Sequence, residues 1–305
     1  MDNLDASDGL SVIVPASNEA AVIGGLLDSL LDSVLTPLPV EIIVVANGCR
    51  DDTVAVAQRF ADRAEARDWS FSVIDVAQGG KLNALNVGDD HAAHANRIYL
   101  DADVIVSPGL IEAVADALDR PDPVYACGAL VVARPSSLVT RRYARFWTQL
   151  PFVADGAPGC GMFAVNAAGR ALWGRFPDII SDDTFVRLHF SPERRVEVPE
   201  AYVWPMVEGF RNLVRVRRRQ DRGVKEVARL YPALLANEKK SALGAGRLAR
   251  LAMRDPVGFL VYAAVSLAVR IPVGAGRPRT ADPVGSGAAK KIGRAFGAIG
   301  VLIDI

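Results

Sequence analysis

Two pairs of carboxylates mark this 305-residue chain as one that can do chemistry: Asp101 and Asp103, separated by Ala102, and the adjacent Asp182 and Asp183. The first pair follows directly on the apolar run Ile98-Tyr99-Leu100. Alternate residues of an extended chain project to the same side about 7 Å apart, so both carboxylates can approach one hard divalent cation, directly or through water. The second pair sits between Ser181 and the helical stretch Thr184–Phe190. There one acid suits an N-cap and the other suits a cleft, where a carboxylate can take a proton from a hydroxyl. Each pair also has a plainer reading: solvated carboxylates of an exposed turn for the first, helix capping alone for the second.

Four turn segments supply further candidates. Val14-Pro15-Ala16-Ser17-Asn18-Glu19 follows an apolar run, and its polar side chains can meet a base, ribose or phosphate at a strand-to-helix turn, with Ser17 or Asn18 as a helix cap. Val44–Thr53 ends the second apolar run at a turn supplied by Asn47-Gly48, with Asp51 or Asp52 as the cap of what comes next. Gly79-Gly80-Lys81, followed by Asn83 and Asn86, can bring a cation and amides to a diphosphate, but it lacks the spacing of a P-loop ATPase. Lys81 reads equally as a solvated residue at a helix start. Pro158–Phe163 places small residues ahead of a strand, where a backbone can approach a ligand closely.

The elements that must hold these residues alternate. Leu10–Pro15, Val40–Ala46, Phe71–Val76 and Arg97–Asp101 read as strands, separated by helical Ala20–Val34 and Thr53–Ala66. Unbroken runs such as Ile42-Ile43-Val44-Val45 are what a parallel sheet covered on both faces requires, so the expectation is an α/β fold that binds its ligand at the carboxyl ends of the strands. After Asp119 only Val124–Ala133 and Met162–Val165 read as strands.

In order and spacing, Val-Pro-Ala-Ser-Asn-Glu at 14–19, Asn-Gly-Cys-Arg-Asp-Asp-Thr at 47–53, Gly-Lys-Leu-Asn-Ala-Leu-Asn at 80–86 and Asp-Ala-Asp at 101–103 resemble the family 2 glycosyltransferases, from about Leu10 to about Arg222. The resemblance implies a GT-A type fold, a mostly parallel Rossmann-like sheet flanked by helices, over 1–210, with a basic and apolar helical extension over 211–305. It implies nucleotide contacts from Pro15, Ala16, Glu19, Asn47, Lys81 and Asn86, and a donor site that includes Asp101 and Ala102. A divalent metal, Mg or Mn, would sit on Asp103 with Asp101. Asp183 becomes the expected catalytic base of an inverting transfer, with Asp182 second. The donor would be a nucleotide-diphosphate sugar and the acceptor a hydroxyl of a glycan, a lipid-linked molecule or a small molecule. Where many members carry an acidic pair before the second motif's glycine, this chain has Ala46-Asn47, and an Asn can still hydrogen-bond a base edge in both senses. The Gln-x-x-Arg-Trp of the polymerising synthases appears here as Gln220-Asp221-Arg222-Gly223, so a non-processive enzyme is expected.

Composition narrows the field. Thirty-five basic and 35 acidic residues give no basic excess, so a nucleic-acid partner is not expected. Cys49, Cys127 and Cys160 are too scattered for a zinc site and read as reduced thiols. Met1–Gly9 lacks the basic and apolar regions of a secretory signal, which points to a cytoplasmic active site. The apolar run Val257–Val269 makes a helix of about 20 Å, short of the roughly 30 Å bilayer core. Ile292, Phe296, Ile299 and Ile303 beside Lys290, Lys291 and Arg294 have the spacing of an interfacial helix. Peripheral contact with the inner face of the cell membrane and packing on the main domain both remain open for these segments. Two rival functions stay on the table: a nucleotidyltransferase, against which the missing Gly-rich loop counts, and a non-catalytic binder of nucleotide sugar or anionic lipid.

Overall fold

A computed structural model describes residues 9–34, 36–154, 156–238 and 243–271. The expected helix of 292–303 lies outside the described residues. The first half runs β1 (Leu10–Ala16), α1 (Ile23–Leu31), β2 (Val40–Asn47), α2 (Thr53–Gln58), α3 (Ala61–Glu65), β3 (Ser70–Val76), α4 (Lys81–His91) and β4 (Asn96–Leu100). Every residue of β1 and β2 is buried, as strands covered on both faces must be, and β3, β2, β1 and β4 lie side by side and parallel. Pro15 follows the last β1–β4 pair, Ile13 with Tyr99, so its missing N–H is tolerated. α1 turns Ile23, Leu26, Leu27, Leu30 and Leu31 into the core, each worth about 1.5–3 kcal/mol of apolar burial as an upper estimate.

The second half is mixed. β5 (Ile105–Val106), α5 (Leu110–Leu118), β6 (Tyr125–Val132), α6 (Leu138–Trp147), α7 (Pro151–Ala154), β7 (Met162–Val165), α8 (Ala167–Arg170), α9 (Asp182–Arg187) and β8 (Arg195–Trp204) extend the same sheet in the order β3-β2-β1-β4-β7-β6-β8-β5. β7 is antiparallel to β4 and β6, β5 is antiparallel to β8, and β6 runs parallel to β8. The sequence reading leaves β8 unassigned because Pro199 interrupts its alternation. The strand absorbs it in a bulge: the pairing jumps from Gly128 with Val198 to Ala129 with Ala201, leaving Pro199 and Glu200 outside the ladder.

α10 (Phe210–Leu230), α11 (Ala245–Arg254) and α12 (Pro256–Arg270) follow the sheet. They build a second apolar cluster from Leu213, Val214, Leu251, Tyr262 and Val265, together with Tyr143, Phe146 and Trp147 of α6. Val227 of α10 packs instead in the main core.

Candidate functional site

α4 carries the central cation. It lies tightly on β1 because Gly88 has no side chain: a Cβ there would run into the Ile13 side chain. That seat places Lys81, the first residue of α4, at the carboxyl edge of the sheet. Its ammonium is 2.8 Å from Asp101 Oδ1 and 3.0 Å from Asp182 Oδ2, so it joins the first residue of each carboxylate pair. The Lys81 side chain is 34% exposed. Burial works against its charge, yet the two carboxylates outweigh that and hold its pKa above the ordinary lysine value.

The second residue of each pair is left without such a partner. Asp103 has its pKa pushed up to about 6, first by burial and then by the charge of Asp101. Asp183, on the first turn of α9, is likewise pushed up to about 6, by burial and by Asp182, while Lys81, the Thr184 N–H and Arg187 pull the other way. Asp183 Oδ1 accepts the Thr184 N–H at 2.6 Å. Glu19 faces the first pair, its carboxyl raised by burial and then by Asp103, Asp101 and Asp51. The edge therefore carries concentrated negative charge around Asp103, where a divalent cation would be favoured.

A metal fit can be judged from the donor set. Among the described residues no three His, Cys, Asp or Glu side chains come together as a metal cage. Asp101 is drawn to Lys81, which leaves Asp103 as the available carboxylate of the pair. One carboxylate suits Mg2+ or Mn2+ when phosphate oxygens complete the shell, which is the way these ions bind nucleotides. The residues fit an ion shared with a diphosphate.

Gly161, at φ 77° in the left-handed region, turns the chain so that its carbonyl accepts the Asp101 N–H at 2.8 Å. A Cβ at Gly161 would come within 2.6 Å of Trp204 Cδ1, so the indole at the end of β8 packs against this turn. On the side of the second pair, the Cys160 thiol is pushed upward by burial and then by Asp183, and the Arg187 guanidinium lies 5.4 Å from the centre of the half-exposed Phe152 ring. α10 supports this loop from behind: Glu226 accepts the Ile180 N–H at 2.8 Å, and Gly223 lies so close to Ser181 that a Cβ there would collide with its hydroxyl.

The motif residues divide by what they touch. Asn47 is buried and commits its amide to backbone, donating to Ala16 O at 2.9 Å and accepting Gly80 N–H at 3.0 Å. It pins the Gly79-Gly80 turn to the ends of β1 and β2. Asn86 does the same for the chain before α9, donating to Phe176 O at 2.9 Å and accepting Phe176 N–H at 2.7 Å. Pro15, Ala16 and Ala102 are buried backbone of the edge. Ser17 and Asn18 do not cap α1, whose N-cap is Val22 with no side-chain bond. Asn18 instead takes φ 58° and accepts the Arg50 N–H at 2.9 Å. Asp51 ties the same two loops together, accepting from Ala20 N and from Thr53. His189 packs against Trp173 and Phe185. Sequence reading gave no role to Arg187 or Trp204. Arg187 was findable, four residues after Asp183 and so on the same helix face, whereas Trp204 needed the pairing of β8.

A model described as Glycosyl transferase family 2 matches residues 11–171. Among curated relatives, the 4,4'-diaponeurosporenoate glycosyltransferase of Staphylococcus aureus (strain MRSA252) is 35% identical over 98 residues, which are 31% of this chain and 24% of that protein. The chain thus matches about a quarter of that relative's length. Among solved structures, the mannosyltransferase PcManGT from Pyrobaculum calidifontis, in complex with GDP-Man and Mn2+, superposes with a TM-score of 0.54 at 20% identity, over 85% of this chain and 74% of that one. The TarS 1-349 structure from S. aureus in complex with UDP-GlcNAc gives 0.49 at 13% identity, over 86% and 81%. The α/β architecture with its eight-stranded sheet and C-terminal helices is that of GT-A glycosyltransferases.

Proposed function

As this chain belongs to glycosyl transferase family 2, we propose that it moves a sugar from a nucleotide-diphosphate donor to a hydroxyl acceptor, non-processively and with inversion at the anomeric carbon. The observation that carries the reading is the bridge by Lys81 between Asp101 and Asp182, which gathers both carboxylate pairs at one sheet edge and leaves Asp103 and Asp183 with raised proton affinity.

In this reading the donor lies along the carboxyl ends of β1, β2 and β4, with its diphosphate toward Asp103 and Lys81. Two of the three ammonium donors of Lys81 are spent on carboxylates, and the third serves a phosphate oxygen. Asn47 and Asn86 act by fixing the turn and the loop that frame this cleft, since their amides are taken by backbone. Asp183 accepts the proton of the acceptor hydroxyl as its oxygen bonds to the anomeric carbon. The bond from that carbon to the diphosphate breaks on the opposite face, and the electron pair leaves with the nucleoside diphosphate. A Mg2+ or Mn2+ held by Asp103 and the phosphates would neutralise charge on that leaving group. A carboxyl near 6 suits Asp183 to the task, because it is ionised at neutral pH and still basic enough to take the proton. The half-exposed Phe152 ring, under the Arg187 guanidinium, offers an apolar face to the acceptor.

The test is turnover and binding of a panel of nucleotide-diphosphate sugars with Mn2+, Mg2+ or chelator, by the wild type and by Asp103→Asn and Asp183→Asn. The reading expects metal-dependent donor binding that weakens in the first variant, and lost transfer with retained binding in the second. Release of pyrophosphate from a nucleoside triphosphate, or no binding of any donor with any metal, would sink it.

A further inference from the structure

α10 turns Leu213, Val214, Gly223 and Val227 inward, and its outer side is cationic. The helix carries eight basic residues. Two are spent inside the fold: Arg217 pairs with Asp221 at 3.6 Å and donates to the Tyr143 hydroxyl at 3.4 Å, and Arg218 donates to the carbonyls of Ala268, Val269 and Ile271. The other six, Arg211, Arg215, Arg219, Arg222, Lys225 and Arg229, are exposed. At 3.6 residues per turn and 1.5 Å per residue they form one row about 27 Å long, within about 120° of the helix surface. Among the described residues no acid pairs with any of the six, and Arg222 alone makes a side-chain bond, from Nε to the Arg218 carbonyl of the same helix at 3.4 Å. The two acids of α10 are engaged elsewhere, Asp221 by Arg217 and Glu226 by the Ile180 N–H at 2.8 Å.

A solvated helix face normally alternates its charges, whereas this row has one sign. Like charges three and four residues apart repel, so the bare row costs the helix stability, and an anion lying along it removes that cost. What the row lacks selects the partner, because none of its six members is apolar or aromatic. A bilayer surface calls for an apolar face that enters the acyl boundary, single-stranded nucleic acid for aromatic rings on which bases stack, and a protein partner for an apolar centre. A linear chain with a negative charge in each repeat needs only what the row offers: cations about 6 Å apart along the axis for each step of four residues, five of them guanidinium forks that meet carboxylate or phosphate oxygens two at a time. Position gives the row its task. It runs past the loop of the second carboxylate pair, which α10 holds through Gly223 against Ser181 and Glu226 on Ile180.

We propose that the cationic row of α10 is a subsite for a linear anionic glycan, a chain with a carboxylate or phosphodiester in each repeat, and that it holds this acceptor beside the Asp183 loop. The acceptor's role rests on the transferase reading, while the binding of the anionic chain rests on the row alone, so the two can fail separately.

The probe is polygalacturonate, a linear chain with one carboxylate per repeat, titrated into the full chain without donor, beside neutral dextran as the control. The wild type should bind the first and not the second, and more weakly at high salt. Arg211→Gln with Arg215→Gln, and separately Arg222→Gln with Arg229→Gln, should each weaken binding about tenfold and lower the slope of log affinity on log salt by about two. Gln keeps the helix propensity of Arg, so thermal melts of both variants should not fall below the wild type. In transfer assays the variants should raise KM for an anionic acceptor and leave kcat and the donor KM unchanged. A wild type that does not bind polygalacturonate overturns the proposal, and so does binding that both variants retain in full. Binding weakened in the variants with the acceptor KM unmoved overturns the acceptor's role and leaves the transferase reading standing. Binding by a wild type that turns over no donor overturns that role from the other side, through the transferase reading itself. Anionic vesicles or an oligothymidylate held more tightly than polygalacturonate, and released by the same variants, would overturn it in favour of a membrane or a nucleic acid.

Discussion

The two carboxylate pairs are built alike and end up different. In each, the first residue is paired with the shared Lys81 ammonium, and the second is left with its pKa pushed up to about 6. Around Asp103 the neighbouring carboxylates, Asp101 and Glu19, outnumber the one cation that acts on it, Lys81, so the local field invites a further cation. Around Asp183 the field is mixed: Asp182 raises it while Lys81, Arg187 and a backbone N–H hold it down. Equal proton affinity therefore arises from unlike surroundings, one suited to an ion and the other to a proton. A single lysine couples the two tasks, so neither pair can be retuned without disturbing the other.

The largest expected effect separates them by chemistry. Asp183→Asn should lower turnover about 10²–10⁴-fold, the usual worth of a general base, while donor binding measured by calorimetry stays within about twofold. In the wild type, turnover should fall as pH drops through about 6, because the base form of Asp183 is lost there. Stability runs the other way for this group. A raised carboxyl stabilises the fold most at low pH and loses that contribution as pH rises through about 6, so melts of Asp183→Asn should gain on the wild type toward higher pH. An acid limb that persists unchanged in a residually active Asp183→Asn would assign it to another group.

Asp103→Asn comes next. Donor affinity in Mn2+ should weaken on the order of a hundredfold, several kcal/mol of charge stabilisation being at stake, and the difference should vanish with chelator. If both variants lose the same step, the contrast between the pairs collapses. Lys81→Met tests the coupling itself. It removes one of the charges that holds Asp183 down, so the acid limb should move above 6, and it strands the buried Asp182. The stability cost should be about 1–2 kcal/mol, below that of a fully buried pair because Lys81 is partly exposed. The smallest effect is expected at Asn47→Ala. Losing its bonds to backbone should cost about 1–2 kcal/mol in thermal or urea melts and leave the choice of nucleotide base unchanged. A changed base preference would return Asn47 to the nucleotide.

How legible these features were in the sequence followed the range of the interactions behind them. The parallel half could be read because β1 and β2 are fully buried runs, each followed by a helix. Met162–Val165 was placed to the residue. The second half resisted because β8 draws on partners far away in the chain, and its bulge hides Pro199 in a way that no local pattern announces. The helical run of α12 could be read from its composition, but the side it exposes could not, since periodicity alone does not say which side Tyr143, Phe146 and Arg218 cover. At the site, the letters Asp101, Asp103, Asp182, Asp183 and Lys81 were visible. The pairing of Lys81 with one member of each pair was not, and neither was the retirement of Asn47 and Asn86 to backbone duty.

By itself the sequence determined the parallel α/β core, the family and the chemical types gathered at the strand ends, because buried runs, turn residues and motif order are properties of neighbours along the chain. Only the tertiary structure decided which carboxylate is paired with a cation and which keeps a raised proton affinity, because that depends on where α4 seats one ammonium between Asp101 and Asp182, carboxylates of two loops far apart in the chain, a matter of packing and desolvation that no local spacing encodes.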